Sequence, residues 1–552
     1  MPSSDRAHEG LAGEPATRAS RRVGRAEGGI SALLKASQEE NQGGISSLKI
    51  LFLMTDLQQT KYYEATLYLL LQRGHRIHLM FFNPWEPEKE KMHDKLVAAF
   101  PETFSFGKAP RKRSDVWHAL CLACAWGMDY LLYAHPSMAH AHRLRERVEA
   151  RIHPFFVWLV NKCPLAKTQP GHALIRRLLR SVYDAIPVDS AMTRLIRNFK
   201  PDVFLVTPLV FHGSLQSEYF RVARALGIST AYCVASWDNL TTKGVIRGNP
   251  DKVMLWNEIQ KQEATTLHEI PPEKIVVTGA QYFDDWFARK PSRSREEFCK
   301  LVGLREDRPI LLYLCSSNFA APDEPRFVLR WISAIRGCGN PTIAGAGILI
   351  RPYPKSVRPW QKIDLTPYEN VVVWPQDGEV AATDTGRANF YDSVYHSLGV
   401  IGINTTAMIE SAIIGRCILT VLAPEAHESQ SNTIHFNYMR REHGGFLHVA
   451  RDLEEHLLQL QQIFAQGDQM KEQVARFVQG FVRPHGVEKA GVPILAQAIE
   501  NLAHSVPEKS GLRLRKTASV CLLFPLAFVL WIFRLVTHGE RKGKKSERKK
   551  LL

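Results

Sequence analysis

Short apolar runs recur along this chain, each separated from the next by a stretch with helical spacing. Over 48–82 the order is explicit: LKILFLM, a polar loop TDLQQTK, the helically spaced YYEATLYLLLQ, a turn at Gly74, then HRIHLMFF. A strand buried on both faces reads as a continuous apolar run, and the helix that returns the chain to a parallel neighbour shows one apolar face. The unit repeats through DVFLVT (202–207), STAYCVAS (229–236), KVMLWN (252–257) and KIVVTG (274–279). After a polar Pro/Ser stretch near 285–295 a second series follows: PILLYLC (309–315), GILIRPYP (347–354), NVVVWP (370–375), SLGVIG (397–402) and CILTVL (417–422). The pattern predicts an α/β protein with two Rossmann-like parallel-sheet domains, 46–290 and 291–506, and a helix around 488–503 placed to return to the first. Two such domains face each other across a cleft, and ligands bind at the carboxyl ends of their strands.

Residues 108–200 break the alternation. They are helical by pattern, aromatic over Trp117 to Tyr133 and at HPFFVWLV (153–160), and read as an insertion in the first domain. A length of 552 residues exceeds what one core supports, and 45% hydrophobic with 23% charged residues is ordinary for a globular protein. Residues 1–45 are rich in Gly, Ser, Arg and Glu without the apolar run of a signal peptide, so a disordered leader is expected. The nine cysteines are scattered, and Cys121 and Cys124 lack a second pair, which points to a reduced compartment and away from zinc.

Charge changes the picture more. The net +16 is concentrated in two places: 12 Lys/Arg against 2 acidic residues from Lys509 to the end, and 16 against 6 from Lys108 to Lys200. The C-terminal cluster surrounds ASVCLLFPLAFVLWIF (518–533), sixteen residues without a charge. As a helix it rises only about 24 Å, short of the roughly 30 Å hydrocarbon core, so a tilted, re-entrant or in-plane segment are all open. With the polybasic tail RKGKKSERKK, 507–552 reads as a membrane-associated segment that favours an anionic membrane surface, at roughly 1 kcal/mol per basic side chain. The cytoplasmic face of the membrane is the expected location. No recognition motif supports nucleic acid as the partner.

The strongest candidate chemistry lies in GVIGINTTAMIESAIIGRCILTV (399–421). A strand ends at Gly402, Asn404 or Thr405 can cap the next helix, and the first free amides at Thr405 to Ala407 suit a phosphate. Thr406 and Glu410 share one helical face about 6 Å apart along the axis, which leaves Glu410 placed for a ribose, or equally for a pair with Arg416. Arg351 and Lys355 end another strand of the same sheet and can balance phosphate charge. The polar loop APEAHESQSNTIHF offers Glu425, Gln430, Thr433 and His435 to the same edge.

Together, SWDNLTTKG (236–244), VTGAQYFDDWF, GINTTAMIESAIIGR and RPHGVEKAGVP (483–493) resemble a bacterial GT-B-type branch of surface-carbohydrate enzymes. That branch is similar to UDP-N-acetylglucosamine 2-epimerase and CDP-glycerol glycerophosphotransferase. The resemblance covers roughly 48–500 and implies a GT-B fold with a nucleotide-sugar donor, expected to be UDP-linked, bound in the second domain. It implies diphosphate at Thr405 and Thr406 and ribose at Glu410. The turn departs from the epimerase pattern by carrying Asn-Thr-Thr in place of Asp-Ser-Gly-Gly.

In such an enzyme the first domain binds the acceptor, so Trp237, Asp238, Asn239 and Lys243 would be its contribution to the reaction centre. Asp238 is the expected general base, Asn239 would orient the acceptor, and Lys243 would offset diphosphate charge. Asp238 and Asn239 also suit a plain turn. Glu64, where the first loop meets its helix, is the rival base, and His212 follows a strand toward the cleft. Asp284 and Asp285 alone make no metal site, and neither metal nor cofactor is invoked. The expected reaction is glycosyl transfer from a nucleotide-diphosphate donor to a lipid-linked or cell-envelope carbohydrate acceptor. The alternatives are nucleotide-sugar epimerisation, CDP-alcohol polyol-phosphate transfer, and a noncatalytic envelope scaffold.

Overall fold

The apolar runs pair as two separate all-parallel sheets. In the computed structural model, which describes residues 46–82, 91–110, 113, 115–208, 212–214, 216–378, 383–426, 429–466, 471–505 and 521–530, the first sheet has seven strands. They are β1 (Lys49–Met54), β2 (Arg76–Phe81), β3 (Phe104–Lys108), β4 (Val203–Thr207), β5 (Ser229–Cys233), β6 (Lys252–Leu255) and β7 (Ile275–Val277), in the order β3-β2-β1-β4-β5-β6-β7. The second sheet has β8 (Ile310–Leu314), β9 (Gly347–Arg351), β10 (Val371–Val373), β11 (Gly399–Gly402), β12 (Cys417–Val421) and β13 (Leu447–Ala450), in the order β10-β9-β8-β11-β12-β13. Every residue of β4, β8, β9 and β12 is buried, as two helix-covered faces require. The expected leader, 1–45, and 507–520 and 531–552 of the expected membrane segment lie outside the described residues.

Two strands depart from the sequence reading. β3 (FSFGK) and β13 (LHVA) both lie at a sheet edge, where one neighbour and partial exposure allow polar residues and short length.

The helices that position the site are α1 (Glu64–Gln72), α2 (His118–Tyr133), α3 (His142–Glu149), α4 (Pro154–Lys162), α5 (Gln169–Ala185), α6 (Glu258–His268), α7 (Asp384–Tyr395), α8 (Ala407–Ile413), α9 (Ile434–Met439), α10 (Gly491–His504) and α11 (521–530). Although α10 falls inside the segment 291–506, its Leu495, Ala496 and Ile499 pack with Leu67 and Leu70 in the core of the first sheet. Its Glu500 receives His75 and Arg73, each at 2.9 Å. The chain crosses back at Asp284, whose carboxylate accepts the Arg483 guanidinium at 3.0 Å and the Val492 amide at 2.8 Å. The second domain therefore ends before Gly491.

Helices α2 to α5 form a compact unit with its own buried cluster, into which α11 inserts Ala527 while Phe524 meets Trp117 edge-on at 6.0 Å. Among the described residues no helix is long and apolar enough to cross a membrane. None of the nine cysteines forms a disulfide.

Candidate functional site

Each sheet reverses its strand order once, between β1 and β4 in the first and between β8 and β11 in the second. Loops leaving the carboxyl ends on either side of such a reversal splay apart and open a crevice. The two crevices face each other.

On the first-domain side, 234–244 is folded by its own polar side chains. Asn239 Oδ1 accepts the Ala235 amide at 3.2 Å, and the Asp238 carbonyl accepts the Thr242 hydroxyl at 2.9 Å. Asn239 is thus buried as a brace of its own turn. Asp238 Oδ2 accepts Thr242 Oγ1 at 3.0 Å and Lys243 Nζ at 3.3 Å, and its side chain remains 28% exposed. Burial by itself would raise the Asp238 carboxyl, but Lys243 and His435, with hydrogen bonds from Ser236 and Thr242, hold it well below the usual carboxylate range. It is a stable anion at neutral pH and a weak base while Lys243 stays in place.

The helical insertion supports this loop from behind. Asp129 of α2, fully buried, accepts the amides of Gly213 at 2.7 Å and Val245 at 2.9 Å and pairs with the Arg247 guanidinium. Tyr133 donates to the Lys243 carbonyl at 2.7 Å and lies 2.8 Å from His212 Nε2. His212 is held between Tyr133 and the stacked Trp126 ring, and burial drives its pKa down to about 3. Gly244 has no alternative: a methyl group there would overlap the Asp129 carboxylate.

On the second-domain side, the loops after β8 and β11 are tied together. Glu324 accepts the Ser316 amide at 2.8 Å, and Ser316 Oγ accepts the Asn404 amide at 3.2 Å. The Asn404 side chain turns sideways to the Ser429 carbonyl and caps nothing. Thr405 Oγ1 accepts the Ala407 amide only at 3.4 Å, and Thr406, which begins α8, caps it with no side-chain bond. Glu410 is 7% exposed, and burial pushes its pKa up to about 7 against the opposing pull of Lys61, Tyr282 and Arg351. It does not take Arg416, whose guanidinium lies over the Tyr395 ring at 5.1 Å.

The other predicted residues separate. Arg351 donates to Ser393 Oγ at 3.1 Å beneath Trp374 and Phe390, close enough to Glu410 to lower it. Lys355 reaches across to Gln58 Oε1 at 3.0 Å. Gln430 does not face the cleft: its side chain is spent on the Ala423 amide, the Ile403 and Val421 carbonyls and Thr420. Thr433 bonds back to the Ser429 and Gln430 carbonyls, and Glu425 pairs with Arg330. His435 is buried, its pKa pushed down to about 4, and its ring stands edge-on to Trp237 at 4.7 Å. Glu64 meets Arg387 of α7 across the cleft at 3.5 Å.

Trp237 closes the gap between the halves by donating its indole N–H to Thr406 Oγ1 at 3.2 Å. Three residues absent from the sequence reading join the meeting point. The Tyr62 and Tyr282 rings meet at a tilt with centroids 4.9 Å apart, and Tyr282 is bonded to Glu410. Glu263 of α6 is buried, its pKa raised by burial to about 8 beside Tyr438 and near Asp238. Its signal was an acid at the i+3 position after buried Gln260, on the inward face with Ala264 and Leu267. A separate cavity of about 590 Å³, lined by Arg73, Lys252 and Asn501, lies at the amino ends of the first sheet's strands and is not part of this site.

No family model matches the chain, and no curated protein matches it. Among solved structures it is similar to UDP-GlcNAc 2-epimerase from Methanocaldococcus jannaschii, with 12% identity, 82% of this chain and 99% of that one covered, and a TM-score of 0.46. It is similar to a glycosyltransferase from Rickettsia africae at 11% identity, with 88% and 99% covered and a TM-score of 0.42. A third is the wall teichoic acid polymerase TagF at 10% identity, with 88% and 95% covered and a TM-score of 0.39.

Proposed function

We propose that the chain is a membrane-associated GT-B glycosyltransferase. It moves a sugar from a nucleotide-diphosphate donor, UDP-linked, to a lipid-linked or cell-envelope carbohydrate acceptor at the cytoplasmic face of the membrane. The observation that carries this reading is the meeting of both carboxyl edges at Trp237 and Thr406, with Glu410 buried one helical turn beyond Thr406.

In this reading the donor diphosphate sits at Thr405 and Thr406 after the indole leaves the Thr406 hydroxyl. Arg351, Lys355 and Lys243 supply positive charge around it. Glu410, near its midpoint at neutral pH, ionises to accept the ribose hydroxyls. Lys243 turns from Asp238 toward the diphosphate as it binds, which frees the Asp238 carboxylate and raises its basicity toward the acceptor hydroxyl. His435, neutral, packs against Trp237 and keeps water out of the closed cleft. Glu64 stays paired with Arg387 and acts as a latch between the domains.

The experiment is calorimetry of the purified protein with UDP, CDP and UDP-sugars, followed by transfer assays with membrane extract. Tight UDP binding with acceptor-dependent turnover is expected. Absence of nucleoside diphosphate binding overturns the proposal, donor conversion without acceptor makes it an epimerase, and CDP-alcohol preference makes it a phosphotransferase.

A further inference from the structure

Large apolar side chains are unevenly exposed on this protein. Ten of the sixteen that stand in solvent among the described residues belong to one unit, the helices packed on α2. Phe155 (61% exposed) and Trp158 (54%) sit one turn apart on α4, Leu174 (59%) and Leu178 (58%) one turn apart on α5, Leu165 (84%) on the link between them, and Leu522 (81%) on α11. The opposite faces of these helices are committed: Phe156 and Leu179 converge on Gly127 of α2, and Ala527 is buried in the same cluster. Phe155, Trp158, Leu165, Leu174, Leu178 and Leu522 therefore form a second apolar face that is turned to solvent.

We infer that this unit docks in the plane of an anionic phospholipid bilayer, with α4 and α5 lying on the surface and the exposed apolar side chains of 521–530 beside them. The inference rests on the membrane-associated reading above and specifies its geometry. Charge decides the occupant. Over 141–185 there are nine Lys/Arg against three acidic residues, and Arg151, Lys162, Lys167 and Arg177 are exposed among the apolar side chains. Aromatic and leucine side chains interleaved with Lys and Arg are the composition of an interfacial membrane helix, whereas protein interfaces are depleted in Lys. Length decides the orientation. The nine residues of α4 rise about 13 Å, less than half of what a bilayer core demands.

The consequence for the site is direct. Docking uses the outer faces of the unit whose α2 carries Asp129 and Tyr133, the side chains that hold 243–247 and His212. A bilayer seated on α4 and α5 is thus linked through α2 to the loop that carries Asp238.

The test is sedimentation of the full chain with vesicles of phosphatidylcholine, with and without phosphatidylglycerol. It compares wild type with the variant Phe155→Ser/Trp158→Ser/Leu174→Ser/Leu178→Ser, which leaves the polybasic tail intact. Wild type is expected to bind the anionic vesicles, with Trp158 quenched by brominated acyl chains relative to Trp158→Phe, and the fourfold variant to lose vesicle affinity by about tenfold or more. Nucleotide calorimetry and the melting temperature, unchanged in the variant because the substituted positions are exposed, show that the fold and the donor site persist. Vesicle binding equal in variant and wild type, or absent in wild type while nucleotide binding is intact, overturns the docking surface alone. Loss of nucleotide binding in wild type overturns the donor site instead.

Discussion

The indole of Trp237 donates a hydrogen bond to the hydroxyl of Thr406, 169 residues further along the chain and in the other domain. This bond occupies the hydroxyl that the proposed donor diphosphate requires. Closure without ligand and ligand binding therefore compete for one group.

Trp237→Phe keeps the edge-on packing against His435 and removes only the N–H. One neutral hydrogen bond contributes about 0.5–1.5 kcal/mol, so UDP should bind about 2- to 10-fold more tightly to the variant. Unchanged or weakened binding in calorimetry would show that the indole does not compete.

Glu410 gives a pH dependence with a definite sign. Its folded pKa of about 7 lies above the ordinary 4.5, so the free protein carries a largely neutral Glu410 below pH 7. Ribose hydroxyls donate to the ionised form, so UDP affinity should rise from pH 6 to pH 8, with proton release on binding seen as a dependence of the calorimetric heat on buffer ionisation. Glu410→Gln should flatten the profile. In stability the same shift acts oppositely: its contribution is full below pH 4.5 and is lost as pH climbs through about 7.

Asp129 is a structural anchor. Asp129→Ala leaves Arg247 buried without its carboxylate and the amides of Gly213 and Val245 without an acceptor, a cost of about 3–5 kcal/mol. The expected readout is a lowered melting temperature of the first domain with nucleotide binding in the second domain preserved.

Gln430→Leu separates a brace from a ligand contact. Its amide satisfies one backbone amide, two carbonyls and Thr420. The variant should lose about 1–3 kcal/mol of second-domain stability while the ratio of UDP to CDP affinity stays the same. A changed nucleotide preference would put Gln430 back in the site.

These contrasts mark what the sequence carries. Strands such as ILLYL and GILIR announce themselves because burial on both faces demands an uninterrupted apolar run, whereas FSFGK and LHVA, at the sheet edges, do not. The edge at which Trp237, Arg351, Thr406 and Glu410 gather was legible, because parallel sheets present their loops at one end. The inward or outward turn of each polar side chain was not. Asn404, Asn239 and Gln430 look identical to ligand contacts in sequence and are instead consumed by backbone groups that only tertiary packing exposes. Tyr282 reaches the site from within VTGAQYFDDWF and Glu263 from the inward face of α6, and neither side chain's direction toward Glu410 or Asp238 can be read from its neighbours in the chain.

The most direct measurement is a crystal structure with UDP bound. The diphosphate should lie within hydrogen-bond distance of Thr405 and Thr406, the ribose hydroxyls on Glu410, and the Trp237 indole released from Thr406. UDP bound elsewhere, with the Trp237–Thr406 bond intact and Glu410 untouched, would contradict a donor site formed where the two sheets meet.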